Sequence, residues 1–191
     1  MKQTLIAVLL AAALLFAACG TDPSAPLTDA PVTETEPNAP QGDAEEAPQA
    51  SGLTFSAEDL FGTAVDSSVF SEYDLVLLNF WAYWCGPCVQ ELPHLQRLSE
   101  EYPNVLILGV VADPSDMAET KRIVTETGVT YPVLLPSGDL LPIVSKMLYL
   151  PTSYFCSPEG ELLSDPIIGA NSYEGWKAEI DEYLKELGEP A

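Results

Sequence analysis

The sequence predicts an α/β domain, a three-layer sandwich in which a mixed β-sheet is flanked by helices. Three observations lead there. Two continuous apolar runs, Leu75–Ala82 and Asn104–Asp113, read as strands buried on both faces. Each is followed by a stretch with helical spacing. The chain then closes with a hairpin pattern and an amphipathic helix, an order that favours a sheet covered by helices.

The elements follow in order. "LVLLNFWA" (75–82) is the first central strand. "GPCVQELPHLQRLSEEY" (86–102) carries Val89, Leu92, Leu95 and Leu98 at helical spacing, with Pro93 expected to kink it. "NVLILGVVAD" is the second strand. "DPSDMAETKRIVTETG" holds a helix that Gly128 ends. "TYPVLLP" is a short strand or extended segment, and "DLLPIVSKMLYL" includes a short helix. "TSYFCSPEGELLSDPIIG" reads as two strands around a Ser157-Pro158-Glu159-Gly160 turn. The closing helix, "SYEGWKAEIDEYLKEL", turns Trp176, Ile180, Tyr183 and Leu184 inward.

The 191 residues suffice for one ordinary domain with extensions, and 47% hydrophobic residues are enough for a packed core. The formal net charge of -22 makes nucleic acid an unsuitable partner, since a polyanion would be repelled. The N-terminus reads as a leader: Lys2, then an uncharged run from Leu5 to Ala18, shorter than the roughly 20 residues a bilayer span needs. Ala17 and Ala18 directly precede Cys19, an arrangement that resembles the lipobox of bacterial lipoproteins. That resemblance implies cleavage after residue 18, lipidation of Cys19, and a domain working outside the cytoplasm where disulfides persist. Residues 20–51 are rich in Pro, Ala, Thr and acids, with no Lys, Arg or aromatic residue. They are expected to be a disordered tether, and residues 52–191 the folded domain.

Cys85 and Cys88 stand where the first strand gives way to a helix. Helix N-termini present unpaired N–H groups and partial positive charge, and both favour thiolate at Cys85. Cys88, one turn further in, is expected to be the more buried. Gly86 and Pro87 make a rigid turn at a position where the missing proline N–H costs nothing. A zinc site needs four ligands; this pair supplies two, with Cys156 and His94 as the other soft candidates and no second CxxC. No metal is expected. A structural staple closing so short a loop would constrain the unfolded chain little. A redox dithiol is the chemistry that fits the placement.

"NFWAYWCGPC" (79–88) resembles the active-site motif of the thioredoxin superfamily, and the surrounding residues are similar to its extracytoplasmic TlpA/ResA-like branch. Asn79 stands where thioredoxin has a buried Asp. Glu91, three residues after Cys88, matches an active-site Glu of ResA-like proteins, and "LPTSYF" supplies Pro151 at the place of the family's cis-proline. The resemblance spans about Leu53 to Leu187, with that branch's insertion between Asp113 and Tyr149. It implies thiol–disulfide exchange with no cofactor beyond the Cys85–Cys88 couple. It also implies disulfide-bearing protein substrates, contacted at Trp84, Pro151 and Thr152. Electrons would come from a membrane thiol donor of the CcdA or DsbD kind, to a monomeric domain. Glu91 is the candidate for moving the Cys88 proton, because Asn79 cannot titrate, and Glu91→Gln is expected to slow exchange with the fold intact. Cys156 reads as a buried small hydrophobe and His94 as a surface residue. Tyr83 occupies a variable motif position.

Two other functions stay open at this point. A disulfide-forming oxidase shares the fold, although Gly-Pro between the cysteines resembles reducing members. A copper-binding chaperone would use a wider cysteine spacing and a distant His. A peroxidase lacks support, because the cysteine has no peroxiredoxin-like Pro/Thr frame.

Overall fold

The computed structural model describes residues 52–188. The leader over 1–18, Cys19 and the tether to residue 51 lie outside the described residues. Among the described residues no helix is long and apolar enough to cross a membrane.

The described chain opens with a hairpin that has no counterpart in the sequence pattern: β1 (Ser56–Glu58) and β2 (Ala64–Asp66), paired antiparallel. Its strands are three residues long and half exposed, too short for a period to show. The Asp59 carboxylate holds the turn by accepting from the N–H groups of Phe61 and Thr63, both at 2.8 Å. A 3-10 turn follows over Ser67–Glu72, capped by the Asp66 side chain.

The two long apolar runs become β3 (Leu75–Trp81) and β4 (Val105–Val111), buried along their whole length. Between them lies α1 (Gly86–Glu101), which continues through Pro93. Then come α2 (Met117–Glu126), β5 (Val133–Leu134), α3 (Leu140–Lys146), β6 (Thr152–Cys156), β7 (Ile167–Ile168) and α4 (Tyr173–Gly188). Gly128 closes the end of α2 at φ +71°, a conformation that costs glycine little. The expected 157–160 turn is present, with the Gly160 N–H donating to the Ser157 carbonyl. The strand after it is interrupted: Leu162 bridges to Cys156, and pairing resumes only at β7. Pro166, which has no N–H to give a ladder, lies in the gap.

The sheet order is β5-β4-β3-β6-β7. β3, β4 and β5 run parallel, while β6 and β7 pair antiparallel, so the sheet is mixed as expected. Alternate residues of β3 serve opposite faces. Leu75, Leu77 and Trp81 pack with α1, α2 and α4 through Leu92, Leu95, Ile123, Trp176 and Ile180. Val76, Leu78 and Phe80 pack with Phe55, Phe70 and Leu140 on the other side. These are the three expected layers. Tyr183 and Leu184 reach the core only in part, whereas Trp176 and Ile180 are fully buried.

Candidate active site

β3 delivers its C-terminal end to the head of α1. The chain turns through Ala82-Tyr83-Trp84, with the Cys85 N–H donating to the Ala82 carbonyl at 3.0 Å. Cys85 is the N-cap of α1, and its sulfur accepts from the Cys88 N–H at 3.3 Å. Cys85 and Cys88 form a disulfide with Cα atoms 5.2 Å apart. Cys85 is 6% exposed and Cys88 1%, so the second cysteine is the more buried, as expected.

β6 brings in the second half of the site. The Leu150–Pro151 peptide bond is cis. Thr152 is the register partner of Phe80, which sets Pro151 at the same end of the sheet as the disulfide. The Pro151 carbonyl accepts from the Gly169 N–H, and the buried Thr152 hydroxyl donates to the Tyr149 carbonyl at 2.8 Å. The outward part of this stretch is Leu148 and Tyr149, both exposed. Trp84 is 58% exposed, and its indole N–H donates to Asp113 at 2.7 Å. A cavity of about 210 Å³ runs between Trp84, Asp113, Leu148, Tyr149 and Leu150. A larger cavity, about 510 Å³, opens at the other end of β3 beside Asp74 and Asn104 and is lined by no site residue.

About one turn along α1 from Cys88 lies a buried carboxylate. Glu91 is 1% exposed, not a solvated residue of a helix face. Its Oε1 accepts from Asn79 Nδ2 at 2.9 Å. Its Oε2 accepts from the Asn171 backbone N–H at 2.7 Å and from the Trp176 indole N–H at 2.9 Å. Asn79 uses its second amide hydrogen on Ser153 Oγ at 3.0 Å. Burial pushes the Glu91 pKa above the usual carboxylate range, and the three donors and the nearby His94 oppose that shift without cancelling it.

Glu91 therefore collects β3, β6, α4 and the segment before α4 into one cluster. Trp176 was legible only as a core residue; the signal for more was that a buried indole N–H needs an acceptor. Asn171 gives its backbone, and Ser153 a small polar side chain inside a strand, neither of which carries a motif. His94 is half-buried, with Nδ1 3.5 Å from the Asn171 carbonyl. Tyr83 lies within hydrogen-bond reach of Ser115 at 3.2 Å. Cys156 is fully buried in β6, and burial pushes its thiol up to about 12.

The arrangement predicts the behaviour of Trp176→Phe. The ring is nearly conserved, but ionised Glu91 loses one of three donors. Unfolding free energy should fall by about 1–3 kcal/mol where Glu91 is ionised. The loss should shrink as pH drops and Glu91 takes up its proton. Urea unfolding at neutral and acid pH measures both values; a loss independent of pH would mean that only packing was disturbed.

Residues 45–163 match the family described as AhpC/TSA. The thiol-disulfide oxidoreductase ResA of Bacillus thuringiensis subsp. konkukian (strain 97-27) is 31% identical over 135 residues, covering 70% of this chain and 74% of that protein. The thioredoxin-like protein YneN of Bacillus subtilis (strain 168) is 30% identical over 109 residues, covering 56% and 63% respectively. A solved thiol:disulfide interchange protein of the thioredoxin family from Chlorobium tepidum TLS has a TM-score of 0.61 at 20% identity, over 73% of this chain and 99% of that one. A thiol-disulfide oxidoreductase from Bacteroides fragilis NCTC 9343 has a TM-score of 0.54 at 26% identity, over 69% and 98%.

Proposed function

The chain belongs to the AhpC/TSA family and is a thioredoxin-like thiol-disulfide oxidoreductase of the ResA kind, and from that premise we propose that it is a membrane-tethered, extracytoplasmic reductase of protein disulfides. The observation that carries this reading is the Cys85–Cys88 disulfide at the head of α1. The apolar leader and Cys19 support the tether and the location. The Gly-Pro pair between the cysteines supports the reducing direction.

In the reduced enzyme Cys85 is the nucleophile, its thiolate favoured by the Cys88 N–H and the helix terminus. It attacks a substrate disulfide. A Cys85–substrate S–S bond forms, the substrate S–S bond breaks, and the departing sulfur takes a proton. Cys88 gives its proton to the Glu91 carboxylate and attacks the Cys85 sulfur. The Cys85–Cys88 bond closes, the Cys85–substrate S–S bond breaks, the second substrate sulfur leaves as a thiolate that takes a proton from solvent, and two electrons have moved to the substrate. A membrane dithiol of the CcdA or DsbD kind then returns two electrons to the pair. Trp84 and the stretch at Tyr149–Thr152 border the incoming segment, which lies extended against the backbone beside Pro151. The domain works as a monomer with no bound cofactor.

The test is the reduction potential of the Cys85–Cys88 couple, measured in graded dithiol buffers. A value near thioredoxin's, about -270 mV, is expected of a reductant. A value near about -120 mV would make the protein an oxidant and overturn the direction.

A further inference from the structure

Among the described residues, three buried side-chain polar atoms have no hydrogen-bond partner: Asn79 Oδ1, Trp81 Nε1 and Tyr131 Oη. Folded interiors leave few such atoms unpaired, and each costs about 1–3 kcal/mol. These three belong to one place. Asn79 and Gly109 are register partners on β3 and β4. A Cβ on Gly109 would stand 3.4 Å from Trp81 Nε1 and 3.4 Å from Cε2 of the Tyr131 ring. The glycine thus lets an indole nitrogen and a phenol come down onto the sheet beside Asn79. Asn79 turns its Nδ2 toward Ser153 on β6 and toward Glu91. The two heavy atoms of an amide diverge, so Oδ1 turns away from Ser153, and β4 is the strand on that other side of β3.

Glu91 borders the same place. Its Oε2 is filled by two donors, whereas Oε1 has one and keeps a free lone pair. Its charge acts with burial, the larger cause, to hold the Tyr131 hydroxyl protonated. The groups around Glu91 are Cys88 and His94 on α1, Asn79 on β3, Ser153 on β6, Trp176 on α4, Asn171 before α4, and Tyr131 before β5.

We propose that Asn79, Trp81 and Tyr131 hold one internal water molecule over Gly109, and that this water donates to Glu91 Oε1 when Glu91 is ionised. The inventory of donors and acceptors closes in that state and leaves one hydrogen over when Glu91 is protonated. With Glu91 ionised, the water donates to Glu91 Oε1 and to Asn79 Oδ1, and accepts from Trp81 Nε1 and the Tyr131 hydroxyl. With Glu91 protonated at Oε1, the water accepts from Glu91 and from Trp81 Nε1. It then donates to Asn79 Oδ1 and to Tyr131 Oη, whose own hydrogen, turned away, has no acceptor. Tyr131 is therefore a donor that the cluster satisfies only while Glu91 is ionised. It is a positioning residue for the proton of Glu91. The inference deepens the proposed mechanism and rests on its reading of Glu91 as a proton carrier.

Tyr131→Phe tests it with little change of shape. Without the hydroxyl, the ionised state loses a donor to the water, while the protonated state has one unpaired hydrogen as before, so the protonated form gains ground. The side-chain carboxyl carbon of Glu91, followed by NMR titration of the oxidised full chain, should titrate higher by about half a pH unit or more. A high-resolution crystal structure of the wild type should place a water within hydrogen-bond reach of all three atoms. An unmoved midpoint together with raised thermal stability would overturn the proposal, because the hydroxyl would then be a plain unsatisfied group whose removal helps. A crystal structure with no water there would also overturn it. The two readings fail separately: an unchanged pH–rate profile in Glu91→Gln removes the proton role, while the Tyr131→Phe shift decides the water site alone.

Discussion

Cys88→Ser is expected to end turnover and leave the protein joined to its substrate through Cys85. Cys85 caps the helix and accepts the Cys88 N–H, so the attacking thiolate is still formed in the variant. What is lost is the second sulfur, the group that releases the adduct, carried on a residue whose Cα is 5.2 Å from that of Cys85. A serine hydroxyl cannot close a disulfide. Mass spectrometry should find one equivalent of mixed disulfide, with no product beyond that equivalent. Cys85→Ser should form no adduct at all. Continued turnover by Cys88→Ser would require another resolving thiol and would remove Cys88 from the scheme.

Glu91→Gln should lower the exchange rate by about 10²-fold or more, the ordinary scale for losing a positioned proton carrier. It should also cost stability, which the sequence alone did not suggest. The carboxylate offers two oxygens to three N–H groups. An amide offers one oxygen, and its NH2 then meets the NH2 of Asn79 or forces Asn79 to turn over and withdraw its donor from Ser153. About 1–3 kcal/mol is expected. The sign with pH follows from the raised pKa of Glu91. A carboxyl whose folded pKa exceeds its unfolded one contributes stability in full below the unfolded pKa and loses it as pH rises through the folded pKa. The gap between wild type and variant should therefore be widest in acid and narrow upward through that range. The pH–rate limb set by Glu91 should vanish in the variant; an unaltered profile would remove Glu91 from the chemistry.

The parts legible beforehand were those written locally. β3 and β4 are uninterrupted apolar runs, and a strand buried on both faces leaves no other composition. The cysteine pair, Gly86, Pro87 and the strand-to-helix change sit within ten residues. Pro151 and Glu91 were reached through resemblance, and the structure gives the first a cis bond and the second a buried seat. What could not be read was the company Glu91 keeps. Asn171 and Trp176 are 80 and 85 residues away along the chain and act through groups that any Asn or Trp carries. Pairing at such range comes from the closing of α4 over α1, a tertiary event with no spacing of its own. The β1–β2 hairpin was missed for the opposite reason: its strands are too short to show alternation, and it is held by the Asp59 turn and by packing of Phe55 on Phe70.

Cys156 has a consequence for fidelity. It is the one cysteine among the described residues outside the redox pair, and it lies in β6, the strand next to β3. Thiolate, not thiol, attacks disulfides, and a thiol that burial pushes up to about 12 is held protonated at neutral pH. Full burial also removes its sulfur from contact with incoming disulfides. The Cys85–Cys88 bond is thus insulated from scrambling within its own domain. The folded domain is a two-position switch, closed or open, with no miswired third setting in which an electron pair could be stranded.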